Sequence, residues 1–134
     1  GQLVISGSID AINTACEKMK EAGAKRALPL PVSGAFHSPL MQPAKDELQA
    51  AIESVTFNTP RIPVYQNVDA LAHTDAEEIK KNLVAQLTGA VRWTATITNM
   101  IANGANDFTE CGPGKALQGM IGRIDKTVAA HGVE

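Results

Sequence analysis

The sequence predicts an α/β fold with a partly parallel sheet, and three observations carry that expectation. Strand-like and helix-like patterns alternate along most of the 134 residues. The strand-like runs are short and end at glycine or serine–glycine turns. The helix-like runs repeat apolar residues every three or four positions and open on capping side chains.

The elements follow in order. Residues 2–6 are apolar enough for a short strand that Gly7 ends. Ser8 can cap a helix over 9–22, with Ala11, Ile12, Ala15, Cys16 and Met19 on one face and Gly23 just past the end. Residues 25–32 form a second strand. Pro29 and Pro31, at alternate positions, leave one edge of it without donors, so it is an edge or terminal strand. A helix over 39–54 buries Leu40, Ala44, Leu48, Ala51 and Ile52. A strand over 62–67 precedes a helix over 76–87, opened by Thr74 or Asp75 and acidic in its first turn at Glu77 and Glu78. A helix over 92–103 is closed by Gly104. A strand over 107–111, a Gly–Pro–Gly turn, a helix through Ile124 and a last strand over 127–131 complete the order.

The chain is 44% hydrophobic and 19% charged, with formal net charge −2. That balance suits a globular domain and excludes a polybasic nucleic-acid binder or a disordered acidic tail. No apolar run approaches the roughly 20 residues of a membrane helix, and no signal-peptide pattern is present. Two cysteines far apart, Cys16 and Cys111, read as reduced thiols of a cytoplasmic protein. The start at Gly1, directly before the apolar Leu3–Val4–Ile5, suggests a piece of something longer.

The stretch VSGAFHSPLM, residues 32–41, carries the chemistry. His37 follows a strand end and precedes Ser38–Pro39, a good N-cap and first helical residue. Ligands of α/β sheets gather outside the carboxyl ends of strands. A neutral imidazole there can act as a general base, and Phe36 offers an apolar wall. The alternative is a histidine bonded to a loop carbonyl with no chemistry. His73 and His131 lack ligand spacing, so no metal site is expected. The stretch ECGPGK, residues 110–115, could present backbone N–H groups to an anion or be merely a tight strand-to-helix connection. No G-x-S-x-G elbow occurs, so a base without a nucleophile suggests half of an active site.

Five stretches in order, GQLVISG (1–7), GAKRALPLPVSGAFHSPLM (23–41), PVYQNVD (63–69), LVAQLTGAVRW (83–93) and ECGPGKALQGMI (110–121), resemble the C-terminal part of the malonyl-CoA:acyl carrier protein transacylase family. The resemblance implies an elbow serine that takes malonyl as an ester. A histidine matching His37 serves as general base and acid, and a backbone carbonyl matching Gln86 accepts the other ring N–H. Phe36 matches the position that is Phe in malonyl-selective members and often Ser in those accepting methylmalonyl. The serine, a carboxylate-gripping arginine and an oxyanion glutamine would lie in an N-terminal remainder of the enzyme. The implied fold is the C-terminal part of an α/β-hydrolase-like acyltransferase domain plus half of a ferredoxin-like subdomain. Residues 1–32 would be the second half of the small subdomain and 33–134 the C-terminal part of the large one.

The implied partners are malonyl-CoA, acyl carrier protein and the N-terminal remainder, with no nucleic acid, no membrane, no metal and no cofactor beyond the coenzyme A thioester as substrate. Two other readings stand beside it: an acyltransferase module of a polyketide synthase, and a non-catalytic α/β binding module.

Overall fold

The computed structural model describes residues 2–133. The chain divides into two compact units, one of residues 2–56 with Leu83–Ala90, the other of Phe57–Asn82 with residues 91–133. No helix of the described residues is long and apolar enough to cross a membrane.

In the first unit, helix α1 (Ile9–Glu21) starts where Ser8 accepts a hydrogen bond from the Ala11 amide at 3.3 Å. It ends at Gly23, whose φ of 88° suits only a residue without a Cβ. The Gly23 amide donates to Lys20 and the Ala24 amide to Met19, so the last carbonyls of the helix are satisfied by the paired bonds of a Schellman turn. The helix expected over 39–54 begins as a single 3₁₀ turn, Pro39–Met41, and continues as α2 (Gln42–Glu53). Proline at the first position tolerates this tight start because it has no amide to satisfy.

The two strands expected over 2–6 and 25–32 are not formed. Both segments run extended, but among the described residues neither has a hydrogen-bonded strand neighbour. A strand exists only by its partner, and the apolar side chains that suggested one remain in solvent: Leu3 is 94% exposed and Val32 59%. These segments and α1 border an open groove of about 920 Å³, floored by Ile12 and Cys16 and edged by Leu3, Ile5, Leu28 and Leu30.

The second unit holds the better core. Strand β1 (Val64–Gln66) pairs antiparallel with β2 (Leu71–His73), with Gln66 opposite Leu71. Nothing in the sequence pattern marks β2, since three residues ending in histidine show no alternation. The turn between them makes it: Asp69 Oδ1 accepts from the Leu71 amide at 3.0 Å, and Ala70, at φ 67°, donates to the Gln66 carbonyl. Asn99 holds the Ala70 carbonyl at 2.9 Å. Helix α3 (Ala76–Gln86) is opened by Asp75, which accepts from the Glu78 amide at 2.8 Å. Helix α4 (Trp93–Ala102) ends at Gly104 in a second Schellman turn. Strand β3 (Asp107–Cys111) matches the expected span, and helix α5 (Ala116–Ile124) returns the chain to β4 (Ala129–Val133), parallel to β3. Parallel neighbours need such a crossover. Ile97 of α4, Phe108 of β3 and Ile121 of α5 form the buried centre, ringed by Trp93, Met100, Ile124 and Val128.

A polar cluster joins β1, β2 and α3 within this unit. His73, 6% exposed, faces Asp69 from Nε2 at 2.8 Å and Glu78 from Nδ1 at 3.0 Å. Asn82 Nδ2 donates to Gln66 Oε1 and to Asp69 Oδ2, both at 3.1 Å, which uses its two hydrogens. Gln66 Nε2 donates to the Ile79 carbonyl at 3.0 Å. With both ring nitrogens against carboxylates, the imidazolium is favoured. The hydrogen bond to Glu78 raises the pKa of His73 above its ordinary 6.5, burial opposes it, and Asp69 adds to the rise. A raised folded-state pKa contributes stability that is complete below the unfolded value and is lost as pH rises through the folded one. The protein is therefore expected to melt at higher temperature near pH 6 than near pH 9, and His73→Gln to flatten that slope. An unchanged slope in His73→Gln would assign the pH dependence elsewhere.

Candidate active site

His37 sits on a turn that the surrounding backbone forces. Its φ is 61°, in the left-handed region that residues with a Cβ rarely occupy. Ser38 holds it there. The Ser38 side chain, 5% exposed with the rest of the residue, donates to the Ala35 carbonyl at 2.7 Å and accepts from the Leu40 amide at 3.3 Å. The Ser38 carbonyl accepts from the Met41 amide at 3.0 Å. One residue thus spans His37 on the upstream side and starts the helix on the downstream side. The sequence marked Ser38 as a cap; its grip on Ala35 had no sequence signal.

The ring of His37 reaches the end of α3. Its Nδ1 lies 3.0 Å from the Gln86 carbonyl oxygen. A carbonyl only accepts, so Nδ1 carries a hydrogen, and in the neutral ring the lone pair falls on Nε2. Gln86 is the last residue of α3, and a carbonyl there has no partner inside the helix. It is bound by the His37 ring and by the Gly89 amide at 3.3 Å. The Gln86 side chain turns the other way, donating to the carbonyls of Gly89 at 3.0 Å and Ala90 at 3.2 Å.

Phe36 is 44% exposed. Its ring folds back over Gly34, where a Cβ would stand 3.4 Å from the ring edge. The three residues singled out by sequence therefore divide plainly: His37 and Gln86 meet, and Phe36 stands beside His37 in the chain with its ring on Gly34.

The other features are occupied by structure. The N-terminal amides of α5 at Leu117 and Gln118 each donate to the Glu110 carboxylate at 3.1 Å. The ECGPGK turn is thus a strand-to-helix connection closed by its own anion. Desolvation works against that carboxylate, but the bonds from Gln118 and Leu117 hold its pKa below the ordinary value. His131 is engaged by Asp107 at 3.2 Å and Thr109 at 2.8 Å. Cys16 is a buried free thiol and Cys111 an exposed one.

The family model described as acyl transferase domain matches residues 1–130, and the chain belongs to that family. Within it, the chain is 45% identical over 130 residues to the malonyl CoA-acyl carrier protein transacylase of Escherichia coli (strain K12), covering 97% of this chain and 42% of that protein. An acyl carrier protein S-malonyltransferase from Vibrio cholerae superposes with a TM-score of 0.90 at 48% identity, over 96% of this chain and 42% of that one. A malonyl-transacylase solved in complex with a type II polyketide synthase acyl-carrier protein gives a TM-score of 0.89 at 42% identity, over 95% and 41%. The chain spans about 42% of the length of the curated relatives it matches.

Ser38→Ala removes a donor to Ala35 and an acceptor for Leu40. It is expected to destabilise the protein by about 0.5–2 kcal/mol, the usual worth of a capping side chain, and Ser38→Thr is expected to retain most of that. Equal denaturation midpoints for the wild type and Ser38→Ala would mean that the hydroxyl holds nothing.

Proposed function

We propose that this chain is the C-terminal part of a malonyl-CoA:acyl carrier protein transacylase, which moves malonyl from coenzyme A to acyl carrier protein through a serine ester. The observation that carries this reading is the contact of His37 Nδ1 with the Gln86 carbonyl at 3.0 Å, in a chain of the acyl transferase family. That contact leaves Nε2 as the basic atom.

In this reading the serine comes from the N-terminal remainder of the enzyme. As its oxygen bonds to the malonyl carbonyl carbon, its proton passes to His37 Nε2. The thioester carbon–sulfur bond then breaks, and Nε2 returns the proton to the departing coenzyme A thiol. In the second half, Nε2 takes the proton of the acyl carrier protein thiol, whose sulfur attacks the ester, and hands it to the serine oxygen as that bond breaks. Between the two halves the ring must turn neither over nor away, and the Gln86 carbonyl supplies that restraint. Residues 1–32 are read as the second half of a ferredoxin-like small subdomain. Residues 33–134 are read as the C-terminal part of an α/β-hydrolase-like large one. No metal or bound cofactor enters any step.

The test is to restore the N-terminal remainder and add malonyl-CoA. The rebuilt enzyme is expected to gain the mass of one malonyl group and pass it to acyl carrier protein; the pure 134-residue chain is expected to do neither. His37→Asn in the rebuilt enzyme should lower transfer by about 10²–10⁴-fold, the usual contribution of a general base. Transfer by the isolated chain, or full activity of His37→Asn, overturns the reading.

Phe36 is read as the wall beside the α-carbon of the acyl group. Malonyl has only hydrogens there, and methylmalonyl adds a methyl, worth about 1–3 kcal/mol of steric discrimination. Phe36→Ser is expected to lower the ratio of malonyl to methylmalonyl transfer by about 10-fold or more, measured by competition between the two thioesters. A folded variant whose ratio does not move makes Phe36 a packing residue.

A further inference from the structure

Gln86 holds the turn after α3 with both of its halves. Its carbonyl accepts from His37 Nδ1 at 3.0 Å and from the Gly89 amide at 3.3 Å. Its side-chain Nε2 donates to the Gly89 carbonyl at 3.0 Å and the Ala90 carbonyl at 3.2 Å. An amide NH₂ has two hydrogens, and here each has a carbonyl to meet. Gln86 and Gly89 are therefore joined twice across one turn, backbone to backbone and side chain to backbone. The side chain thus restrains the far end of the turn, and the oxygen that His37 uses belongs to the peptide at its start.

We propose that the Gln86 side chain acts as a positioning group: by clamping residues 86–90 it keeps the Gln86 carbonyl aimed at His37 Nδ1 and so selects the neutral tautomer whose lone pair is on Nε2. The inference rests on reading His37 as the general base. It adds a function for a side chain where only a main-chain oxygen was assigned one. The last carbonyls of a helix are free to tilt toward water or to shift to another donor unless something restrains them. The other tie on this turn, Lys45 Nζ to Thr88 Oγ1 at 3.5 Å, is at the limit of a hydrogen bond. Glutamine also suits the position by chemistry. Glutamate has the same shape but no donor at neutral pH, and it would set a charge against two carbonyl oxygens. Methionine has a similar length and no donor at all.

An ordinary helix cap would make the same bonds and affect only stability, so the experiment reads the His37 ring itself. In the enzyme with its N-terminal remainder, the ring nitrogens of ¹⁵N-labelled histidine report the tautomer at a pH where the ring is neutral. The wild type is expected to hold the Nδ1–H form. In Gln86→Met and Gln86→Glu the population should move toward the Nε2–H form. The kcat for malonyl transfer should fall by about 10- to 100-fold, with KM for malonyl-CoA little changed, as expected for a misaimed catalytic group.

A wild-type tautomer in either folded variant overturns the proposal, even if its melting temperature drops. If neither variant folds, hydrogen exchange of the Gln86 side-chain amide in the wild type decides: protection supports the clamp, and exchange as fast as in exposed glutamines overturns it. If the tautomer moves as expected but the wild type transfers no malonyl, the clamp stands and the catalytic reading falls.

Discussion

A helix must end, and its last carbonyls must find donors outside it. The site depends on how that constraint is met at the end of α3. Gln86, the last residue of the helix, offers its oxygen to the His37 ring at 3.0 Å. A carboxylate in the same place would also orient a histidine, but it would bring a full charge and favour the imidazolium. A carbonyl fixes the ring with only a dipole. It also uses an oxygen that has no partner inside the helix and whose other bond, from the Gly89 amide, is long at 3.3 Å.

The same economy governs the other end of the helices. At three helix starts and one turn, donors are met by the protein's own acidic or hydroxyl side chains, whereas α2 and α4 start without a side-chain cap. Asp75 caps α3, Glu110 caps α5, Ser8 caps α1 and Asp69 closes the β1–β2 turn. Two of these carboxylates, Asp69 and Glu110, have lowered pKa values. In both cases desolvation opposes the shift and hydrogen bonds together outweigh it: the Leu71 amide, His73 and Asn82 at Asp69, and Gln118 and the Leu117 amide at Glu110. Such groups bind to the fold rather than to ligands, and of the three histidines His37 is the one with a ring nitrogen, Nε2, that has no hydrogen-bond partner among the described residues.

Much of this was legible in the sequence, for local reasons. Helices α1 and α4 end at Gly23 and Gly104, and glycine at a left-handed position is a strong stop signal. Strand β3 is readable because its apolar Phe108 and flanking turn residues announce it. The strands read over 2–6 and 25–32 failed because a β pattern states what a segment could pair with, not that the neighbour is there. Strand β2 was missed for the opposite reason: its pairing is imposed by a turn, through Asp69 and the left-handed Ala70, and by little in its own three residues. At the site, the location of His37 was readable from its place between a strand-like run and Ser38–Pro39. Its contact with Gln86 lies 49 residues away along the chain and was suggested only by family resemblance. No pattern in one sequence reports a main-chain oxygen.

With His37 read as the proposed base, its left-handed backbone sets activity against stability at a single position. A φ of 61° strains any side chain with a Cβ, on the order of 1 kcal/mol or more. Glycine would relax that strain and remove the imidazole in the same step. Variants chosen only for resistance to heat would therefore drift toward glycine at 37 and lose the base, whereas a population kept for its chemistry must carry the strain indefinitely. Between those extremes, asparagine fits the backbone without the acid–base function, and valine or isoleucine fits neither. The order in which residues are tolerated at this position thus records which demand was acting on the chain.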